Sequence, residues 1–458
     1  MALWRARDKP PVELVVANLD LIVKKKTLIT AMGSFIIGFF IIYATMGFSD
    51  SLFDGLLRIV VGLLFVVSII LGANQREKIN PYILFSLTPL SLLLYNEKLS
   101  PRYLTKLDDK TWILGIICIL VFILVLHWYT RGDRIDEENR KIRESKSTTA
   151  QEKNLLVKHA IILFVLSLLP DVCRLIFGTS FFLGSTIAYF KYPAVACAWK
   201  SKSKPLIVLM YASVLLSFMT TFNKSIFLSV GLITILSYQR YALKDEKDDK
   251  KLFAWIAVAA CFMVFIAFPM KALVQEQGNF SFSNLFSAIS KYYTGEDNSY
   301  ANKILWNGPI VLQMPYMYLV SAWNNVKYVM QTQPSHTYGL WFFKPVLSWL
   351  QLDGMFEKLY ILKPYSSFNT FGFVTVLYKD FGIIGAMFEA GFLGYFVAKV
   401  FNKFRTSNSP IDLAIYALTA QATVEMFFSN HFFMLSYPFT IIVVCWIYKL
   451  IFKSARYF

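Results

Sequence analysis

The sequence predicts an all-α, polytopic integral membrane protein with about 12 transmembrane helices and one large outer loop between spans nine and ten. Three observations carry that expectation. Hydrophobic residues fill 56% of the 458 positions and charged residues only 16%, a balance that a water-soluble globular chain does not show. Apolar stretches of ~20 residues, the length that crosses a hydrocarbon core of ~30 Å, recur from Thr27 to Phe452. The breaks between them are short and polar, except for one at 271–368.

Taken in order, the spans fall near 27–48, 52–72, 79–95, 111–128, 158–177, 181–199, 205–221, 225–241, 252–270, 372–399, 411–428 and 431–452. Residues 1–26 then form an N-terminal cytoplasmic segment, 27–270 hold spans one to nine, and 271–368 form the outer loop. Residues 369–452 hold the last three spans, and 453–458 are a cytoplasmic tail. The first apolar run, Thr27 to Phe48, is long enough to remain as an anchor, and no signal-peptide pattern precedes it.

Lys and Arg concentrate in the segments that lie inside if the N-terminus is inside, which is the orientation the positive-inside rule selects. A net charge of +17 also raises nucleic acid as a partner, but the basic residues sit at helix ends and not along one face, so none is expected. The runs RGDRIDEENRKIRESKSTTAQEK at 131–153 and KDEKDDKK at 244–251 read as solvated connectors. No inner loop carries GxxxxGK[ST] or GxGxxG, so no cofactor or nucleotide site is expected there. The five cysteines, Cys118, Cys173, Cys197, Cys261 and Cys445, all fall in apolar stretches, which suggests neither a disulfide framework nor a metal cluster.

The outer segment 271–368 is far longer than an ordinary connection. It carries twenty aromatic residues, among them Trp306, Trp323, Trp341 and Trp349, against seven lysines and five acids. Aromatic rings in an aqueous phase suit sugars, whose C–H faces pack on them, and equally suit an interfacial belt. The apolar run Ile304 to Trp323 within it contains Pro309 and Pro315, and reads as an element that dips into the membrane, lies on it, or forms a thirteenth span.

Ionisable residues at membrane depth are costly unless paired or useful. Asp171 and Arg174 share a helix face and invite pairing, as do Asp54 and Arg58. Lys191, between Tyr189 and Tyr192, either reaches a buried acid such as Glu389 or lines a cavity. Of the four histidines, His127, His159 and His431 stand at helix ends, and only His336, in SHTYG, lies well inside the outer segment. With an ordinary pKa of ~6.5, it is either a general base or a surface histidine. That segment has no HxxxH, cysteine or DxD, so a metal is not expected.

The stretches SHTYGLWFFKPVLSWL (335–350) and FNTFGFVTVLYKDFGIIGAMFEAGFLG (368–394), with SKYYTG at 290–295 upstream, resemble the closing half of the bacterial oligosaccharide repeat-unit polymerases of the Wzy type. The detailed likeness covers about a quarter of the chain, and the twelve-span layout extends it over the whole. The resemblance implies a GT-C-like architecture in the bacterial cytoplasmic membrane, and a metal-independent glycosyltransferase that joins polyprenyl-diphosphate-linked oligosaccharide units. Membrane lipids, a chain-length regulator and the flippase of the same pathway would be its neighbours. By resemblance, Arg174 and Lys271 face the diphosphate, His336 is the base, Tyr338 and Asn369 contact sugar, and Asp380 orients the histidine or another basic group. Lys191 stands with the substrate-binding set, and Gly382 and Gly385 are expected to bring the tenth span close to a neighbour. Lysine at 271 departs from the arginine expected there, since a point charge does not fork two phosphate oxygens. A lipid-linked oligosaccharide flippase and an O-antigen-ligase-type transferase are the alternatives that the residues leave open.

Overall fold

Apolar periodic stretches bounded by Ser, Asn and Pro become helices, and a computed structural model of the chain shows only helices as regular structure among the residues it describes. Those are 51–75, 77–101, 103–130, 150–177, 187–221, 225–242, 313–333, 335–350, 352–356, 362 and 370–433. The chain divides into two units, Met1–Leu94 and Tyr95–Phe458.

In the first unit, α1 (Leu52–Ala73) starts at Ser51, whose hydroxyl accepts from the Asp54 amide at 3.1 Å. Its 22 residues reach ~33 Å, enough to cross a bilayer core. Asn80 joins its end to the next helix: its amide donates to Gly72 O at 2.9 Å, and its Oδ1 accepts from Ile83 N at 3.2 Å. Gly72 makes room there, because a Cβ would lie 2.6 Å from the Ile83 side chain and force it to shift. Residues 79–95, expected as one span, form two short helices, α2 (Pro81–Phe85) and α3 (Leu87–Leu93). Pro89 supplies the reason: it has no N–H for the Phe85 carbonyl, and its ring crowds that carbonyl. Together they extend ~20 Å, too short for the core of a bilayer. Arg58, buried on α1, gives its Nη1 hydrogen to Leu93 O at 3.0 Å, placing a cation at the C-terminal end of α3.

The second unit is built on α4 (Asp109–Thr130), α5 (Ala150–Phe177), α6 (Lys191–Ser201), α7 (Lys204–Thr221), α8 (Ser225–Tyr241), α9 (Gln313–Thr332), α10 (Leu340–Trp349), α11 (Phe373–Thr406) and α12 (Pro410–Val424). Four described helices are long and apolar enough to cross a membrane: α1, α4, α11 and residues Ala150–Cys173 of α5. Their exposed faces are apolar, with Leu124 and Trp128 on α4, Val165 and Ile176 on α5, and Ile384 and Phe388 on α11. Buried positions meanwhile hold Ser167, Thr375, Lys379, Asp380 and Glu389. A helix in water shows the reverse pattern, so hydrocarbon is the solvent these faces fit. Helix α12 is buried from Pro410 through Thr423 and forms the centre, packed by α6, α8 and α11.

Helices α4 and α11 lie closest together. A Cβ on Gly394 would stand 2.8 Å from the Phe122 carbonyl oxygen, so the two backbones touch there. Helix α9 covers both and belongs to the stretch expected as outer loop. It is fixed by Asn324, whose Oδ1 accepts from Tyr95 Oη, Thr105 N and Thr105 Oγ1 at 3.1, 3.0 and 2.9 Å. Its Nδ2 donates to Tyr103 O at 3.1 Å. Basic residues gather at the far end of α11. Lys403 pairs with Asp412 at 3.4 Å, Arg240 donates to Phe404 O at 2.8 Å, and Lys200 pairs with Glu152 at 3.1 Å.

Candidate functional site

Helix α11 is broken near its start. Phe381 (φ −135°, ψ 16°) and Gly382 (φ 71°, ψ −156°) leave the helical region, and the second conformation is one that essentially only glycine adopts. A break at membrane depth frees backbone groups that need partners. The SHTYG segment supplies them: Thr337 N donates to Lys379 O at 2.9 Å, and Tyr338 N to Asp380 O at 2.8 Å. To do so the segment turns sharply, with Tyr338 at φ 50° and Gly339 at φ 88°. Left-handed backbone costs a side-chain-bearing residue ~1–2 kcal/mol, so the hydrogen bonds hold Tyr338 in a conformation it would not choose.

Two side chains complete the clamp. Asp380, fully buried, accepts from the Thr337 hydroxyl and from the amides of Trp341 at 2.9 Å and Phe342 at 2.7 Å, capping the first turn of α10. Lys379 donates to Ser335 O at 2.7 Å and Gln333 O at 3.3 Å. His336 lies against the bend, where a Cβ on Gly382 would stand 3.1 Å from its Nε2. The Tyr378 ring is edge-on to it at 5.5 Å, and the buried His336 Nδ1 has no hydrogen-bond partner among the described residues. Tyr338 projects outward at 76% exposure, with Phe343 and Phe381 also exposed beside it. Three residues expected in the site, His336, Tyr338 and Asp380, are therefore brought together.

Asp380 spends its hydrogen bonds on the turn, not on the imidazole it was expected to orient. Gly382 serves the bend and the approach of His336, while a Cβ on Gly385 would collide with Phe381 of the same helix at 1.9 Å. The backbone contact between helices expected of these glycines falls at Gly394 instead. Lys191 opens α6 and is buried, and the acid whose charge acts on it is Asp171 of α5 rather than Glu389. Arg174 is in the last turn of α5, with its side chain outside the described set. Lys271 and Asn369 lie outside the described residues.

Glu389 is buried on α11, near Cys118 of α4 and the Asp380 carboxyl, and no basic side chain pairs with it among the described residues. Asp380 is near enough to act on it electrostatically.

A second polar group adjoins the first. Phe342, at the start of α10, packs edge-on against Phe433 at 5.4 Å. Phe433 ends a short 3-10 turn that opens with His431, and His431 Nε2 meets Glu425 Oε2 at 2.7 Å. Glu425 follows α12 directly, and Gln421 Nε2 donates to the same oxygen at 3.3 Å. Glu425 and His431 stand near the ends of different expected spans, and nothing in their spacing announces that they meet. No protein-family model, curated protein or solved structure matches the chain.

Proposed function

We propose that this chain joins polyprenyl-diphosphate-linked oligosaccharide units into a surface polysaccharide by glycosyl transfer on the outer face of the bacterial cytoplasmic membrane. The observation that carries the reading is the position of the clamp on α11. It lies at the opposite end of that 34-residue helix from Lys403 and Arg405, a separation of ~35 Å at ~1.5 Å per residue. By the positive-inside rule the basic end is cytoplasmic, so the clamp and its exposed aromatic rings face outward. Carrier-bound glycans await transfer there, and no nucleotide sugar is at hand.

In the reaction, an acceptor hydroxyl forms a bond to the donor anomeric carbon as the bond from that carbon to the diphosphate breaks. A base removes the hydroxyl proton, and cations hold the departing charge. Arg174 and Lys271 are proposed for the diphosphate, and Tyr338 and Asn369 for the sugars. Among the described residues, His336 and His431 are the histidines near the clamp that could serve as the base.

A second reading, a flippase for the same lipid-linked units, is favoured by one feature. A broken membrane helix beside a buried acid that no basic side chain pairs with among the described residues resembles the midplane ion sites of transporters. Deleting the gene in its host and displaying the surface polysaccharide on a gel separates the two. Collapse of the ladder to a single repeat unit supports polymerisation, whereas complete loss of surface glycan supports the flippase. Glu389→Gln sharpens the distinction: a polymerase retains its ladder with this variant, and a proton-coupled flippase loses transport.

A further inference from the structure

The group around Glu425 is built as an oriented base beside a buried side-chain amide. Glu425 is 6% exposed, and its Oε2 accepts from both His431 Nε2 and Gln421 Nε2. Gln421 is in turn fixed on its other side, because Ser229 Oγ on α8 donates to Gln421 Oε1. Ser229 also meets Tyr192 of α6, so the carboxyl is anchored through three helices. With Nε2 committed to Glu425, the remaining ring nitrogen of His431, Nδ1, makes no hydrogen bond among the described residues, and the side chain is 23% exposed. Among the described residues His336 has no comparable support: its buried Nδ1 lacks a partner, and its ring is flanked by Tyr338, Tyr378 and Gly382. A base works best when a third group fixes its tautomer and stabilises the imidazolium it becomes, and of the two histidines only His431 has such a group.

Next to it, Asn430 is 4% exposed, and neither atom of its side-chain amide has a hydrogen-bond partner among the described residues. A buried amide is costly to leave with both atoms unsatisfied, so the position fits a ligand that both donates and accepts. A sugar hydroxyl does both. Phe428 lies 6.4 Å from the His431 ring and is met edge-on by Tyr318 at 6.2 Å, which adds the aromatic surface a pyranose packs on.

We infer that His431, positioned by Glu425, is the general base that deprotonates the acceptor sugar hydroxyl, and that Asn430 binds a neighbouring hydroxyl of the same sugar. The inference rests on the glycosyl-transfer reading. The hydroxyl proton passes to His431 Nδ1 and the hydroxyl oxygen bonds the donor anomeric carbon. The electron pair of the broken carbon–oxygen bond leaves on the diphosphate. Glu425 acts through the imidazole and is a positioning residue.

The test is complementation of the deletion strain, with polymer formation measured per molecule of protein in the membrane. His431→Ala is expected to lower polymerisation about 100-fold, and imidazole added to the medium is expected to restore part of it. Glu425→Gln, close in size to the native residue, is expected to lower it at least about 10-fold, with Glu425→Asp recovering part of the loss. Full ladders from both His431→Ala and Glu425→Gln overturn the inference. So does a His431→Ala defect that imidazole leaves untouched while Glu425→Gln behaves as wild type. Where the His431→Ala chain is too scarce to assay, a full ladder from Glu425→Gln alone overturns it. An unchanged ladder in the deletion strain itself overturns the glycosyl-transfer reading, which separates that failure from this one.

Discussion

The two ends of α11 use glycine for opposite purposes. Near residue 382 the helix gives up its own hydrogen bonds, and Gly382 supplies a backbone conformation that lets a distant segment replace them. Near residue 394 the helix is regular, and Gly394 only removes a side chain so that α4 can come close. The first arrangement builds a clamp of Thr337, Lys379 and Asp380 around an exposed tyrosine. The second builds a rigid wall. Conformational freedom is used where a ligand would arrive, and close packing where the helix must stay fixed.

Perturbing each end should therefore give a different signature. The largest effect is expected from Asp380→Ala, which strips the acceptor from the Thr337 hydroxyl and from two amides. At ~1–3 kcal/mol for each lost partner, it should destabilise by about 4 kcal/mol and abolish polymer; an unshifted melting temperature in detergent would show that the clamp holds nothing together. Gly382→Ala comes next, since φ 71° with ψ −156° suits only glycine and His336 Nε2 stands 3.1 Å from the new Cβ. A cost of about 3 kcal/mol is expected from strain and contact together, with polymer lost even at temperatures where the protein stays folded. Gly394→Ala, meeting the Phe122 carbonyl oxygen at 2.8 Å, should cost about 2 kcal/mol by overpacking. In contrast to the Gly382 variant, its ladder should be normal below the melting temperature. If both glycine variants lose stability and polymer in the same proportion, the division between the two ends fails.

The smallest stability change is expected from Tyr338→Gly. Relief of left-handed strain gains ~1–2 kcal/mol, and glycine's greater freedom when unfolded offsets ~0.5–1 of it. The melting point should therefore hold or rise slightly while polymerisation falls, because the exposed ring is gone. Equal activity with and without the ring would mean that Tyr338 touches no sugar.

The helices themselves were largely legible. Stretches expected at 52–72, 111–128 and 225–241 are helices Leu52–Ala73, Asp109–Thr130 and Ser225–Tyr241, because continuous apolar length is a strong signal. The stretch 79–95 misled because its many leucines outweigh one proline in a hydropathy average, yet Pro89 interrupts the helix. The site was legible in part. SHTYG and KDFG are both conspicuous, but their pairing depends on carbonyls freed by a break that no spacing announces. Four glycines at 382, 385, 391 and 394 look alike as sequence; the face each presents decides which one bends the chain and which one touches α4. Lys379 gives no signal in the sequence because its main partners are backbone carbonyls more than forty residues away, a contact with no compositional trace.

Everything proposed for the clamp requires that it face outward, and Tyr338→Cys tests this directly, since residue 338 is 76% exposed. In intact cells, a membrane-impermeant thiol reagent should label this variant and leave the unsubstituted chain unlabelled. Labelling that appears only after the membrane is opened would put the clamp on the cytoplasmic side, away from carrier-bound glycans, and would contradict both its placement and its chemistry.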